Sequence, residues 1–160
     1  MAVPANDFSD LTAALYAKDM GLPIRFISCA CDENGIIWDM ASKGEFGVNF
    51  SGETPCYMEL FLYKCAGNQG VVEYLNAFEK KRNYRLDEEC IQYVNNNLFA
   101  AVVSSGRIGT IISGMYRSNH YSIDRGTAVA YGSLQDYRAS VGANNDTVIL
   151  AKRSPERIKE

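Results

Sequence analysis

Apolar residues recur at helical spacing near the start of the chain. Leu11, Ala14, Leu15 and Lys18 fall at i, i+3, i+4 and i+7, which predicts a helix with an apolar face and a polar edge. Asp7 or Ser9 supplies an N-cap, and Gly21 followed by Pro23 supplies the stop. Residues 24–30 are short, mostly apolar and bounded by turn residues, and predict a buried strand; 32–35 form a turn. Residues 36–42 read as a short helix closed by Gly44, and 45–53 as a loop. Pro55 then opens a helix through Met58, Leu60, Phe61, Leu62 and Cys65, since proline's missing N–H costs nothing in a first turn. Glycines at 67 and 70 break it, and 71–80 and 87–97 follow as two more helices, the second with Asp87 at or near its N-cap. A second apolar strand covers 98–104 and a third 146–150. Between them lie a glycine-dotted helix at 106–116 and a strong one at 127–141, with Ala128, Ala130 and Gly132 along one side.

Helices alternating with apolar strands predict an α/β fold: three layers, with a mainly parallel sheet of about three strands flanked by helices. Residues 1–160 form one domain, with no internal repeat and no low-complexity linker. The first helix has no strand before it in this reading. An α/β unit normally begins with the strand that feeds its helix, so the pattern implies a chain that begins inside a larger unit.

Composition narrows the function. At 47% apolar and 22% charged, the chain can build a core, unlike a disordered segment. A net charge of −3 argues against a nucleic-acid surface. Glu79-Lys80-Lys81-Arg82 mixes signs and reads as a solvated helix end. Met1-Ala2-Val3-Pro4 lacks the features of a secretory leader, and no apolar run reaches the roughly 18 residues that span a bilayer. A cytoplasmic location is expected, with the five irregularly spaced cysteines reduced. Cys29-x-Cys31 is too tight for a Cys-x2-Cys knuckle and has no second pair, so no metal site is expected. His120, in the polar stretch Arg117-Ser118-Asn119-His120, reads as a surface residue.

Residues 3–14, followed by Ala17-Lys18 and Met20-Gly21-Leu22-Pro23, resemble the phosphate-loop segment of threonine synthases. That pattern is Val-Pro-(Ser/Thr)-Gly-Asn-Phe-Gly-Asp, then a helix ending Ala-Lys-x-x-Gly-Leu-Pro. Tyr121-Ser122-Ile123-Asp124-Arg125-Gly126-Thr127-Ala128-Val129-Ala130-Tyr131 is similar to the family's Asp-Pro-His-Thr-Ala-Val-Ala helix start. Pro55-Cys56-Tyr57-Met58-Glu59 resembles Pro-Ser-Met-Asp, and residues 148–155 resemble a strand leading into Ser-Thr-Ala-(Ser/His)-Pro. These blocks stand in family order across nearly the whole chain. The resemblance is to the C-terminal part of a threonine synthase-like enzyme of the fold-type-II pyridoxal-phosphate (PLP) group, whose reaction converts O-phosphohomoserine to threonine and phosphate.

The resemblance implies that Asn6, Asp7, Phe8 and Ser9 line the PLP phosphate, where backbone N–H groups and a helix dipole attract an anion. It implies that Lys152 lies near the pyridine nitrogen, whose partner tunes the ring. The chain departs from the pattern at both places. Asn6 and Ser9 replace the loop glycines, and Asp7 brings a carboxylate toward a dianion. Like charges about 4 Å apart repel by about 1 kcal/mol even in water. Ala151-Lys152-Arg153 replaces Ser-Thr-Ala, and Gly126 replaces a histidine. The lysine that holds PLP covalently lies upstream of the phosphate loop in the family and has no counterpart here. Lys18, Lys43, Lys64, Lys80 and Lys81 read as solvated.

Two functional readings follow. In the first, the chain derives from a threonine synthase-like enzyme and is inactive alone. In the second, it is a non-catalytic binding or assembly module, or half of a split enzyme. A companion chain bearing the missing N-terminal half, or a second copy, would then cover its sheet edges.

Overall fold

The computed structural model describes residues 1–5, 8–31, 35–46, 57–81, 84–142, 149 and 156–157. Its centre is a parallel sheet of strands β1 (Ala2–Pro4), β2 (Ile27–Cys31) and β5 (Leu98–Val102), in the order β1-β2-β5. The β1–β2 register pairs Val3 with Cys29, and the β2–β5 register runs unbroken from Ile27–Leu98 to Cys31–Val102. Ile149 adds a parallel bridge to Ala2 on the outer side of β1. The rest of the third strand expected at 146–150 lies outside the described residues.

One expectation is corrected. A strand does precede the first helix: β1 feeds α1 (Phe8–Asp19) directly. Three residues are too few to show a period, and Pro4 speaks against a central strand because it cannot donate to a ladder. The conflict is resolved by phase: Met1 O and Ala5 N–H bond β2, so the missing N–H of Pro4 falls on the side away from it.

Alternate residues of β2 face opposite layers, as the strand's two-residue period requires. On one side Ile27 and Cys29 join Phe8, Leu11 and Leu15 of α1 and Ile37 and Met40 of α2 (Ile36–Lys43). Phe61, Leu62 and Tyr74 of α3 (Met58–Lys81) and Cys90 and Val94 of α4 (Glu88–Asn97) complete this larger core. On the other side Ala30, Ala101 and Val103 pack with Ile108 and Ile111 of α5 (Ser105–Asn119) and Ala128 and Val129 of α6 (Arg125–Val141). The sheet is thus the middle of three layers, as the alternating pattern predicts.

The helix punctuation is as the sequence implies. Gly67 breaks α3 with φ 65° and ψ −165°, so two helices meet there at a kink. Asp87 caps α4, its carboxylate accepting from the Cys90 N–H at 2.7 Å. Gly44 closes α2 in the left-handed conformation that glycine adopts without strain. Two antiparallel pairs fall outside the sequence reading: β3 (Glu45–Phe46) with β4 (Tyr84–Arg85), and β6 (Tyr121–Ser122) with β7 (Glu156–Arg157). Two-residue strands carry no readable alternation. Among the described residues, no helix is long and apolar enough to cross a membrane.

Candidate functional site

In open α/β sheets ligands bind beyond the carboxyl ends of the strands. That end of β1 leads into α1, and Ala5 N–H still donates to Ala30 O at 2.9 Å. Asn6, Asp7 and Lys152 lie outside the described residues. Phe8 and Ser9 form the first turn of α1. The Phe8 side chain is fully buried, with its ring 5.2 Å from that of Phe61. Its side chain therefore serves the core. Ser9 is half-buried beside the positive end of the helix dipole, where an anion is favoured. Asp10, also in the first turn, brings a negative charge to the same end.

The second block reaches this end of the sheet through α6, which runs antiparallel to β2. Ser133 bonds Ser28, and one turn later Tyr137 stacks on Phe26 at 5.4 Å. Eight residues before Ser133, the helix start at Arg125 is displaced by about 12 Å toward the strands' carboxyl ends, at 1.5 Å per residue. Asp124 organises this start: its carboxylate accepts from Thr127 N–H at 3.1 Å and from the Thr127 hydroxyl at 2.6 Å. Arg125 donates to the Ser105 hydroxyl of α5 at 3.3 Å. Gly126, where the resembled pattern has histidine, is buried. Of the fourth block only Ile149 is described, and it bridges Ala2 at the amino end of β1. In the third block, Pro55 and Cys56 lie outside the described residues. Tyr57 sits at φ 66°, an uncommon conformation for a bulky side chain, and exposes 53% of its surface.

Sequence reading missed the Arg107 cluster. This guanidinium bonds Asp136 at 2.8 Å, Gly132 O at 3.2 Å and Gln135 Oε1 at 3.3 Å, tying the start of α5 to α6. A pairing across 29 positions leaves no local signal.

Two lysines expected to be solvated are engaged. Lys18 donates to Asn97 Oδ1 at 2.8 Å and to Arg25 O at 3.2 Å. Lys64 pairs with Asp19 and lies 5.5 Å from the centre of the Tyr16 ring. Helices α1, α3 and α4 converge there, so long side chains meet partners that helix periodicity does not reveal. Lys43 is exposed and pairs with Asp39 one turn away at 2.7 Å.

Cys29, Cys31, Cys65 and Cys90 are free thiols. Burial, reinforced by the neighbouring Cys31, pushes the Cys29 thiol up to about 12, which favours the protonated form at neutral pH. His120 caps α5 in a left-handed conformation, φ 56°, and is exposed.

No protein-family model matches the chain. It is 26% identical over 143 residues to human threonine synthase-like 1, covering 81% of this chain and 19% of that protein. To threonine synthase-like 2 of Xenopus laevis it is 26% identical over 139 residues, covering 80% and 29%. The structure of PLP-bound threonine synthase from Brucella melitensis superposes with a TM-score of 0.76 at 18% identity, over 84% of this chain and 32% of that one. The chain thus spans between a fifth and a third of the length of these proteins. In sequence it resembles part of the threonine synthase-like proteins, and in structure it carries part of the threonine synthase fold.

Proposed function

We propose that the chain is the C-terminal part of a threonine synthase-like, PLP-dependent protein, built to complete a cofactor site and inactive by itself. The observation that carries this reading is that the starts of two resemblance blocks, α1 and α6, lie toward the carboxyl end of the sheet. The start of α1 follows β1, and the start of α6 projects toward the same end.

The start of α1 supports a place for the phosphate end of PLP through backbone and dipole, against the like charges of Asp7 and Asp10. A parallel strand running into a 12-residue helix is a setting in which backbone and dipole favour an anion. The backbone of residues 6–9 and the Ser9 hydroxyl would hold it. PLP, when bound, withdraws electrons from the substrate carbon; the protein's share is to position and tune it. By the resemblance, the lysine that attaches PLP belongs upstream of the phosphate loop; of the described lysines, Lys18, Lys64 and Lys43 pair with Asn97, Asp19 and Asp39.

The test is a titration of the purified chain with PLP, followed by absorbance and thermal stability, with phosphate release from O-phosphohomoserine assayed in parallel. We expect no covalent cofactor signal and no turnover from the chain alone. Turnover on adding a polypeptide that carries the lysine-bearing remainder would support the reading. Turnover by the chain alone would overturn it.

A further inference from the structure

Cys65 and Cys90 stand on different helices and meet between them. Cys65 lies at the end of the first half of α3, two residues before the Gly67 kink, and is half-buried. Cys90 lies in the first turn of α4, three residues after the capping Asp87, and is fully buried. Their side chains share a hydrogen bond. A disulfide needs Cα atoms within about 7 Å and side chains that face each other, and most cysteine pairs fail this. Thiols already in contact meet the second condition. Cys29 and Cys31 are placed differently, each donating to a carbonyl oxygen of β5, that of Phe99 or Ala101.

The contact sits where the chain turns. Gly67 holds φ 65° and ψ −165°, so the helix changes direction directly after Cys65. The second half of α3 and then β4 precede α4 in the chain. Tyr74 and Tyr84 of this excursion pack edge to face at 5.5 Å. A bond from Cys65 to Cys90 would close a loop around all of it, and such a loop stabilises chiefly by restricting the unfolded chain.

From this contact we infer that Cys65 and Cys90 form a redox modification site, where hydrogen peroxide converts the touching thiols into a disulfide that clamps α3 to α4. In the first step the Cys65 thiolate, the more accessible sulfur, attacks a peroxide oxygen. It becomes a sulfenic acid, and the other oxygen leaves as hydroxide and takes a proton to give water. In the second step the Cys90 sulfur displaces the sulfenic oxygen as a second water. Two thiols thus lose two protons and two electrons, and one hydrogen peroxide becomes two waters. A thiol reductant restores both thiols by exchange. The hydrogen bond to Cys90, followed by burial, raises the Cys65 thiol above its ordinary value, so the closed site holds the proton. Oxidation therefore proceeds through local opening and is slow beside that of an exposed, acidic thiol.

The test treats the purified full chain overnight with hydrogen peroxide, alkylates the remaining thiols in denaturant, and maps the disulfides by peptide mass spectrometry. We expect one crosslink, joining Cys65 to Cys90, with Cys29 and Cys31 alkylated and dithiothreitol reversing the bond. The oxidised chain should melt roughly 5–10 °C higher, the scale expected for a loop of this size. Cys65→Ser, at a half-buried position, should keep the circular dichroism and abolish both the crosslink and the added stability. The same treatment in urea should scatter the crosslinks, because the fold no longer aligns the pair. If Cys65→Ser does not fold, the map of the unsubstituted chain decides. A crosslink from either cysteine to another partner would overturn the inference, as would Cys65 oxidised to sulfinic acid beside a free Cys90. Full alkylation of both in a chain that stays folded would do the same. A Cys65–Cys90 bond that leaves the Tm unchanged would overturn the clamp.

Discussion

The hydroxyls of Ser28 and Ser133 meet at 2.6 Å in the buried interface between β2 and α6. Each is the other's partner, so removing one strands the second in an apolar setting. A buried hydroxyl without a partner costs about 1–3 kcal/mol, more than the bond itself adds in net stability. Ser133→Ala is expected to lower the unfolding free energy by about that amount in urea titrations. The double variant Ser28→Ala/Ser133→Ala should recover part of the loss. A double variant as unstable as the sum of the singles would mean that the hydroxyls do not act as a pair.

Gly132 and Gly109 should respond to alanine with opposite signs. At Gly132 the new methyl meets Val103 at 2.9 Å and Ile111 at 3.2 Å, and overpacking of this kind costs about 1–3 kcal/mol. At Gly109 the space is open, and helix propensity favours alanine by up to about 1 kcal/mol. Thermal melts of the isolated chain should show a lower Tm for Gly132→Ala and an unchanged or higher one for Gly109→Ala.

Asp124 caps α6 through Thr127 N–H and the Thr127 hydroxyl. Asp124→Ala is expected to cost about 1–2 kcal/mol. If the start of α6 belongs to the cofactor end of the sheet, the variant should also weaken any PLP-dependent stabilisation of the assembled complex, which a PLP titration would measure. Asp124→Asn, which keeps a capping oxygen, should restore most of the stability.

Alkaline pH should unfold the chain partly through Cys29. Its thiol keeps its proton in the folded state up to about 12, whereas the unfolded chain releases it near the ordinary value of 9.0. Above pH 9.0 the unfolded state therefore binds fewer protons, and stability falls as pH rises. The slope from this one group is about 1.4 kcal/mol per pH unit. Cys29→Ala should flatten the pH dependence of the urea midpoint between pH 9 and 11. An unchanged slope would show that other groups carry the alkaline transition; the Tyr74 and Tyr93 hydroxyls, also raised by burial to about 12, are the next to test.

Much of this protein was legible in its sequence because the signals were local. Helix α1 shows its apolar spacing, α4 its capping aspartate and α3 its break at Gly67. The strands β2 and β5 are short apolar runs whose two faces both lie in the core, so they needed no alternation to be seen. The order of the resemblance blocks is likewise a property of the chain itself.

What only the tertiary structure decided depends on partners far apart in sequence. Ala2–Pro4 is a strand because Ser28–Ala30 lies beside it; three residues have no periodicity of their own. Arg107 finds Asp136, and Lys64 finds Asp19, through helix packing that no spacing rule encodes. The candidate site shows the same division. The sequence alone marks the starts of α1 and α6 as resembling cofactor-binding segments. Their convergence follows from the antiparallel run of α6 against β2, which the Ser28–Ser133 and Phe26–Tyr137 contacts together record. Local propensity specifies the elements, but the end of the sheet at which they meet is set by long-range packing between them.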